Sequence, residues 1–98
     1  MQVIFASPAE QELADAARYL EEQRPGYGTK FIDEVESTLA YISKHPLIGM
    51  QVSGNIRKML INRFHYSLRY RVQEDASVIQ ILRISHSAQD IPSDRENR

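Results

Sequence analysis

The hydrophobic pattern of the sequence changes its period once, near residue 46, and this change limits the chain to one class of fold. Between residues 8 and 44, apolar side chains recur at the three- and four-residue spacing of amphipathic helices. Between residues 56 and 84, short runs rich in isoleucine, valine and tyrosine are separated by turn residues, as in β-strands. Helices that precede closely spaced strands indicate an α+β domain.

Two amphipathic helices are predicted in the first half. The first should span Pro8–Gln23, after a Ser-Pro-Ala-Glu run in which Ser7 and Glu10 would bond each other's backbone N–H groups as a capping box. Proline and two glycines end it at residues 24–28, and the second helix should span Thr29–Lys44. Because the connection is short, we expect an antiparallel helix hairpin. The side chains expected mainly in the core include Leu13, Leu20, Phe31 and Val35.

Four strands are predicted around the helices. Val3–Phe5 is a short apolar run before the first helix. Three more strands are predicted at Ile56–Ile61, Tyr66–Val72 and Val78–Ile84. Residues 46–54, which contain a proline and two glycines, are predicted to form a loop.

The predicted element order is therefore β-α-α-β-β-β. We expect a four-stranded, largely antiparallel sheet covered on one face by the antiparallel helix hairpin, with the opposite face available for function. Ser67, Arg69 and Arg71 alternate with apolar residues and should lie on that opposite face. Whether Arg83 joins them depends on a strand register that the sequence does not fix.

The length and composition indicate one small cytoplasmic domain. A chain of 98 residues forms a single core, and we expect the domain to span residues 1–91, with a polar tail at 92–98. The sequence contains no cysteine, which excludes disulfides and thiolate metal sites and fits a reducing compartment. No targeting signal is visible. No run approaches the roughly 20 apolar residues that cross a bilayer, so we expect no membrane association.

The net charge of −1 hides an uneven distribution along the chain. Residues 1–54 carry four basic and eight acidic side chains, whereas residues 55–86 carry six basic and two acidic ones. A basic second half favours an anionic partner. Surface arginines are equally compatible with an ordinary solvated sheet face, so the charge pattern leaves both interpretations open.

Several segments resemble the RelE/ParE superfamily of bacterial toxins, and most closely its ParE-like, plasmid-stabilisation branch. The segments that carry the resemblance are the start of the first helix at 7–13, the proline–glycine loop at 46–49, the hairpin with arginine and tyrosine at 55–70, and the C-terminal run at 81–91. The resemblance as a whole covers nearly the entire chain, residues 3–91. The order and spacing of the segments carry the resemblance, because no single motif among them is decisive.

The resemblance implies the toxin of a type II toxin–antitoxin system, held in a hetero-oligomer by a cognate antitoxin that neutralises it. A ParE-like toxin would bind and poison DNA gyrase without catalysis, and this is the preferred interpretation. The alternative is a RelE-like endoribonuclease that cleaves mRNA on the ribosome. A decayed, non-toxic protein is a third possibility, because Ser87 stands where the family often has glycine and Gln89 where it often has arginine.

The candidate residues for target binding are the basic side chains of the strand half: Arg57, Arg69, Arg71, Arg83 and His86. Arginine suits this role because its planar fork binds carboxylates and phosphates through two hydrogen bonds. Cleavage of mRNA also needs proton exchange near neutral pH, for which His65 and His86 are weak candidates. The C-terminal lysine or tyrosine typical of RelE-like enzymes has no clear counterpart here. No motif for nucleophilic catalysis, phosphate binding or metal ligation is present, so we expect no cofactor and no metal.

Overall fold

The elements of the chain follow the predicted order, with one strand more than expected. The computed structural model describes residues 1–87, and the predicted polar tail lies outside these residues. The described elements are β1 (Gln2–Phe5), α1 (Ser7–Gln23), α2 (Tyr27–Lys44), β2 (Met50–Ser53), β3 (Ile56–Ile61), β4 (Tyr66–Gln73) and β5 (Val78–His86), with a 3₁₀ turn at Glu74–Ala76 between β4 and β5.

The strands form one sheet in the order β1-β5-β4-β3-β2. β1 runs parallel to β5, with Gln2 opposite Val78, and the other three pairs are antiparallel. Both helices contribute buried side chains to one core with the sheet, so the predicted largely antiparallel sheet with a helix hairpin is confirmed. β2 is the addition: it lies in the predicted loop at 46–54. Its four residues, Met-Gln-Val-Ser, alternate apolar and polar side chains, but so short a run is not distinguished from a loop by sequence, and pairing with β3 defines it.

The predicted capping box at the start of α1 is wrong. Ser7 already belongs to the helix, its N-cap is Ala6, and no side chain caps the first turn. The Glu10 N–H donates to the Ala6 carbonyl at 3.0 Å instead of to a serine hydroxyl. The reason is that Ala6 is extended and donates its own N–H to Ile81 at 2.9 Å. The chain therefore passes directly from the sheet into the helix.

The connection between the helices depends on two glycines. Gly26 has a φ of 90°, a conformation that favours glycine. At Gly28 a Cβ atom would lie 2.7 Å from the Ala17 carbonyl oxygen, so the absence of a side chain permits α1 and α2 to approach closely. The Glu21 carboxylate accepts the N–H groups of both glycines at 3.0 Å and so caps the start of α2.

The core lies between the helices and the sheet. Phe31, Val35 and Ile42 of α2 are buried, whereas Leu13 and Leu20 of α1 are partly buried and pack against the core. Its remaining buried hydrophobic residues are Ala9, Ala16, Ile61, Phe64, Tyr66, Leu68, Tyr70, Ile79, Ile81 and Ile84.

Phe64 enters the core from the tight turn between β3 and β4. Its ring contacts Phe31 at a centroid distance of 5.3 Å and Tyr27 at 5.6 Å, both edge-on. The flanking residues Arg63 and His65 have positive φ values of 76° and 55°. The turn therefore holds two residues in a backbone conformation that side chains disfavour, and Phe64 fills the core between them.

Candidate functional site

Strand alternation places three cations on the face of the sheet opposite the helices. Leu68 and Tyr70 of β4 are fully buried on the helix side, so Arg69 and Arg71 lie on the other side. Lys58 of β3 is directly opposite Arg69 in the register and shares its face. We call Lys58, Arg69 and Arg71 the basic face.

The centre of the basic face is less available than the sequence analysis predicted. Arg69 is only 4% exposed, and one of its guanidinium nitrogens lies 3.5 Å from the Ser85 hydroxyl. Ser67 is fully buried, and its hydroxyl has no hydrogen-bond partner in the structure described. β4 is the third of five strands, so the side chains of Ser67 and Arg69 lie between those of β3 and β5. The expectation that this face of the sheet is wholly free is therefore wrong at its centre, where Ser67 and Arg69 are buried.

Arg71 lies at the margin of the basic face and is half-buried. Its Nε atom is buried and, within residues 1–87, has no hydrogen-bond partner. A buried guanidinium N–H without a partner costs free energy. Of the two β4 arginines on this face, Arg71 is the more exposed, so it is the one that a partner molecule can reach.

Arg57 serves the fold instead of lying on the basic face. It is opposite Tyr70 in the register and faces the helix side. One guanidinium nitrogen donates to the carbonyls of Leu47 at 3.2 Å and Gly49 at 2.8 Å. The guanidinium therefore holds the loop between α2 and β2.

The same loop is fixed from inside the core by a tyrosine. The buried Tyr70 hydroxyl accepts the Gly49 N–H at 2.9 Å and donates to the Pro46 carbonyl at 2.8 Å. Burial raises the pKa of the Tyr70 phenol above its ordinary value, so the group is neutral and able to donate. A Cβ at Gly49 would lie 2.7 Å from this hydroxyl, which explains the glycine of the proline–glycine loop.

A β-bulge settles the register of Arg83. Arg83 is opposite Arg69, but Ile81 is opposite Tyr70, so Leu82 is an extra residue on β5. Bulges redirect side chains, and the Arg83 guanidinium forms an ion pair with Glu12 of α1, with a shortest distance of 2.7 Å. Arg83 is therefore paired with Arg69 in the register, but its guanidinium is held by Glu12 of α1 and does not join the basic face. The hydrogen bond to Glu12 raises the pKa of Arg83, which keeps it charged.

The ion pair borders a groove between α1 and the end of β5. β1 pairs with β5 only as far as Ile81, and residues 82–86 of β5 have no described strand on that side. We call the adjacent cavity, of about 620 Å³, the α1–β5 groove. It is lined by Glu12, Asp15, Ala16, Tyr19, Tyr66, Arg83, Ile84, Ser85 and His86.

The two histidines lie away from the basic face. His86 is opposite Tyr66 in the register, and the two rings meet edge-on at a centroid distance of 5.1 Å. Burial and the nearby Tyr19 raise the pKa of Tyr66. His65 is exposed in the turn before β4, where its carbonyl accepts the Ser87 N–H at 2.7 Å. The structure thus separates both histidines from Arg69 and Arg71.

Of the two residues that depart from the family pattern, Ser87 and Gln89, the structure describes only Ser87. Ser87 is intermediate in exposure, and it is not among the described residues with positive φ. A glycine is therefore not required there by the backbone of this chain. Gln89 and Asp90, which belong to the predicted C-terminal signature, lie outside the described residues.

Sequence reasoning missed Glu12 and Tyr19 as parts of a site. Both lie on α1, and Tyr19 is 54% exposed although it is a large hydrophobic side chain. One signal was present: helical spacing places Glu12 one turn before Ala16, beside the buried stripe. Its partner Arg83 is 71 residues away in the sequence, and the packing of α1 against β5 brings the two together.

Comparison with known proteins gives a consistent result. The sequence matches, over residues 3–91, the family model of the ParE toxin of the type II toxin–antitoxin system parDE. A chain of the chromosomal ParDE system from P. aeruginosa has the same fold with a TM-score of 0.74 at 19% identity, over 88% of this chain and 95% of that chain. The isolated RelE toxin of E. coli matches with a TM-score of 0.65 at 13% identity, over 97% and 93%. The intact E. coli RelBE complex contains a chain with a TM-score of 0.63 at 15% identity, over 87% and 94%. A search of curated proteins finds no match.

Proposed function

The chain belongs to the family of ParE toxins of type II toxin–antitoxin systems, and from this premise we propose that it binds and poisons DNA gyrase and is neutralised by a cognate antitoxin. The observation that carries the proposal is the family match over residues 3–91. This range contains β2 to β5 completely and β1 from its second residue onward. The solved structures with the same fold include toxin–antitoxin complexes, which supports an antitoxin partner.

The arrangement of charged groups favours a toxin that acts by binding. Cleavage of RNA needs a proton-transfer group beside the cations that stabilise the phosphorane. In residues 1–87, the cations Arg69 and Arg71 lie on one face of the sheet. His86 lies on the other face against Tyr66, and His65 lies in an exposed turn. A binding mechanism requires only an accessible surface, and Arg71, the more exposed arginine of the basic face, is the residue that we assign to target contact.

RelE-like cleavage of ribosome-bound mRNA is the second candidate, because the α1–β5 groove collects a carboxylate, a guanidinium and an imidazole. These are Glu12, Arg83 and His86. The guanidinium is already occupied by the carboxylate, so the set is less suited to hold a phosphate. A decayed toxin is the third candidate and rests on Ser87 and Gln89.

We place the activity in the cytoplasm, where gyrase and ribosomes are found. None of the helices described between residues 1 and 87 has the length and apolar character to cross a membrane. We also propose that residues 1–91 form the functional domain and that 92–98 are a polar tail. A chain shortened to residue 91 should keep its activity and its thermal stability.

The decisive experiment compares two reactions of the purified chain: supercoiling of plasmid DNA by gyrase, and cleavage of mRNA on translating ribosomes. Loss of supercoiling with intact mRNA supports the proposal, and cut mRNA with normal supercoiling replaces it with the second candidate. Inactivity in both reactions supports the decayed toxin, and Ser87→Gly with Gln89→Arg is then the variant to assay.

Single substitutions test which residues contact the target and which take part in cleavage. Arg71→Gln should weaken gyrase inhibition at least tenfold, whereas Arg18→Gln, which removes an exposed arginine of α1, should not change it. If His86→Gln abolishes mRNA cleavage while leaving the fold intact, the nuclease interpretation gains its acid–base group. The antitoxin is tested by a search for a short reading frame beside this one in the genome; its co-expression should restore growth of cells that produce the chain.

A further inference from the structure

The face of the sheet opposite the helices has a buried centre. Ser67, Arg69 and Ser85 lie there on neighbouring strands, and their exposed fractions are only 0%, 4% and 9%. Leu60, which is opposite Ser67 in the register and belongs to the same face, is 66% exposed. Both helices share a core with the other face of the sheet. Polar side chains buried this deeply on an outer face indicate that further chain lies over them.

The same centre concentrates positive charge. Lys58, Arg69 and Arg83 are directly opposite one another on β3, β4 and β5. Like charges in this position destabilise a sheet. Glu12 of α1 holds Arg83, which leaves Lys58 and Arg69 as neighbouring cations on the basic face. A guanidinium as buried as that of Arg69 needs a carboxylate close to it, because burial of an uncompensated charge costs much free energy.

The strands themselves do not supply such a carboxylate. Within residues 1–87, β1 to β5 contain no aspartate or glutamate, and the acidic side chains of α1 and α2 belong to the helix layer on the other face. Glu74 and Asp75 follow β4, and Arg69 precedes them by at least five residues, which is about 16 Å along a strand. The acidic residues that remain in the sequence follow residue 87; they are Asp90, Asp94 and Glu96.

The chain leaves the sheet beside the buried centre. The Ser85 hydroxyl lies 3.5 Å from the Arg69 guanidinium, and the Ser87 N–H donates to the His65 carbonyl in the turn before β4. Ser87 lies about 7 Å beyond Ser85 along β5. Asp90 follows Ser87 by three residues, which extend to about 10 Å. A chain that turns back after Ser87 therefore brings the Asp90 carboxylate within reach of Arg69.

Charge and family range both select the segment 88–91 over the rest of the C-terminus. Residues 88–91 carry one negative charge and no positive charge, whereas residues 92–98 carry two of each sign. The family match extends to residue 91, so it includes Asp90 and excludes Asp94. Ile91 adds an apolar side chain that can cover the exposed Leu60 on the same face.

We infer that residues 88–91 fold back over the centre of the basic face, where the Asp90 carboxylate binds Lys58 and Arg69 and the segment shields Ser67 from water. The chain itself thus neutralises the centre of its own basic face. Arg71, at the margin, is the cation of this face that a partner molecule reaches. The inference concerns contacts within the chain and does not depend on the identity of the target.

The position of the segment can be measured directly, because the chain contains no cysteine. Ser93→Cys in the full ¹⁵N-labelled chain carries a nitroxide two residues beyond the segment. The Leu60 and Ser67 amide resonances should lose at least threefold more intensity than that of Glu36, which is exposed on α2. A nitroxide at Ser37→Cys, beside Glu36 on α2, is the matched control and should give the reverse order.

Thermal unfolding of the full chain tests the role of Asp90. Asp90→Asn should lower the melting temperature by about 5 °C or more, because it leaves a buried guanidinium uncompensated. Asp94→Asn, which removes a carboxylate outside the family match, should change it by less than about 2 °C. Asp90→Glu keeps the charge and should recover more than half of the loss.

A second substitution tests the contact with Lys58. In the Asp90→Asn chain, Lys58→Gln should raise the melting temperature, because it removes the charge opposite Arg69. In the Asp94→Asn chain, the same substitution should not raise it, because Asp90 still binds both cations.

The inference is overturned if the nitroxide at position 93 broadens Glu36 as strongly as Leu60. It is equally overturned if Asp90→Asn and Asp94→Asn melt alike, or if Lys58→Gln raises the melting temperature of neither chain or of both. Should Asp90→Asn fail to fold, the nitroxide measurement, which retains Asp90, decides. None of these results depends on the gyrase and growth assays, so the inference and the proposed function can fail separately.

Discussion

Glu12 and Arg83 join the first helix to the last strand through three contacts between one carboxylate and one guanidinium, at 2.7, 3.0 and 3.1 Å. The same carboxylate accepts the N–H of the residue after Arg83 at 2.9 Å. The ion pair is partly exposed, with side-chain exposures of 44% for Arg83 and 26% for Glu12. The backbone hydrogen bond is therefore the larger part of what Glu12 contributes to stability.

Glu12→Ala is expected to lower the free energy of unfolding by about 1–3 kcal/mol, because it leaves the partly buried Ile84 N–H without its acceptor. Glu12→Gln should cost less, since the amide oxygen still accepts. Urea denaturation measures both changes. Glu22→Ala, an exposed glutamate of the same helix, is the control; equal losses for Glu12→Ala and Glu22→Ala would mean that water replaces the carboxylate.

Tyr70→Phe is expected to lower the free energy of unfolding by about 1–3 kcal/mol, because it removes one hydroxyl from two backbone groups, the Gly49 N–H and the Pro46 carbonyl. Tyr41→Phe removes a hydroxyl from an exposed ring and should change stability by less than about 0.5 kcal/mol. Thermal unfolding of the two variants is the measurement. Similar melting temperatures for both would contradict the bridging role of Tyr70.

Stability is expected to fall at high pH through Tyr66 and Tyr70. Burial raises the pKa of both phenols above the ordinary value of about 10. The folded state therefore keeps protons that the unfolded state releases, so this stability is complete below pH about 10 and is lost as pH rises through the folded-state pKa. Urea midpoints between pH 8 and 11 measure the slope. Tyr70→Phe should flatten it relative to Tyr41→Phe, and an unchanged slope would show that Tyr70 does not contribute.

Arg63→Gly is expected to stabilise the chain by up to about 1 kcal/mol. Arg63 has a φ of 76°, and a residue with a side chain loses about 1 kcal/mol in this conformation relative to glycine. Arg18→Gly, in the middle of α1, should instead cost about 1 kcal/mol. Opposite shifts of the two urea midpoints are the expected result, and two shifts of the same sign would remove the case for strain at Arg63.

The sequence predicted the elements that a long hydrophobic period defines. The predicted bounds of α1 and α2 lie within two residues of the observed ones, because each helix has a continuous apolar stripe and ends at a proline or glycine. β2 was missed because its alternation extends over only four residues between Gly49 and Gly54, and glycines at both ends indicate a loop. The capping box failed because Ala6 remains bonded to Ile81, and local sequence cannot reveal that tertiary bond.

The candidate site was harder to predict than the fold, since the role of an arginine depends on its surroundings. Arg57, Arg69 and Arg83 look alike in sequence, yet one holds a loop, one is buried and one pairs with Glu12. Arg83 lies beside an extra residue in β5 and pairs with a helix residue far away in the sequence, and no local pattern predicts either feature. Alternation did assign Arg69 and Arg71 correctly to the face opposite the helices.

The parallel pairing of β1 with β5 has a consequence for synthesis of the protein. β1 leaves the ribosome first, but its neighbour in the sheet is β5, which begins at residue 78. β5 also separates β1 from β4, so a nascent chain that stops before residue 78 lacks a central strand. Such a fragment cannot close its sheet. We therefore expect a product whose translation stops before residue 78 to stay incompletely folded and open to proteases.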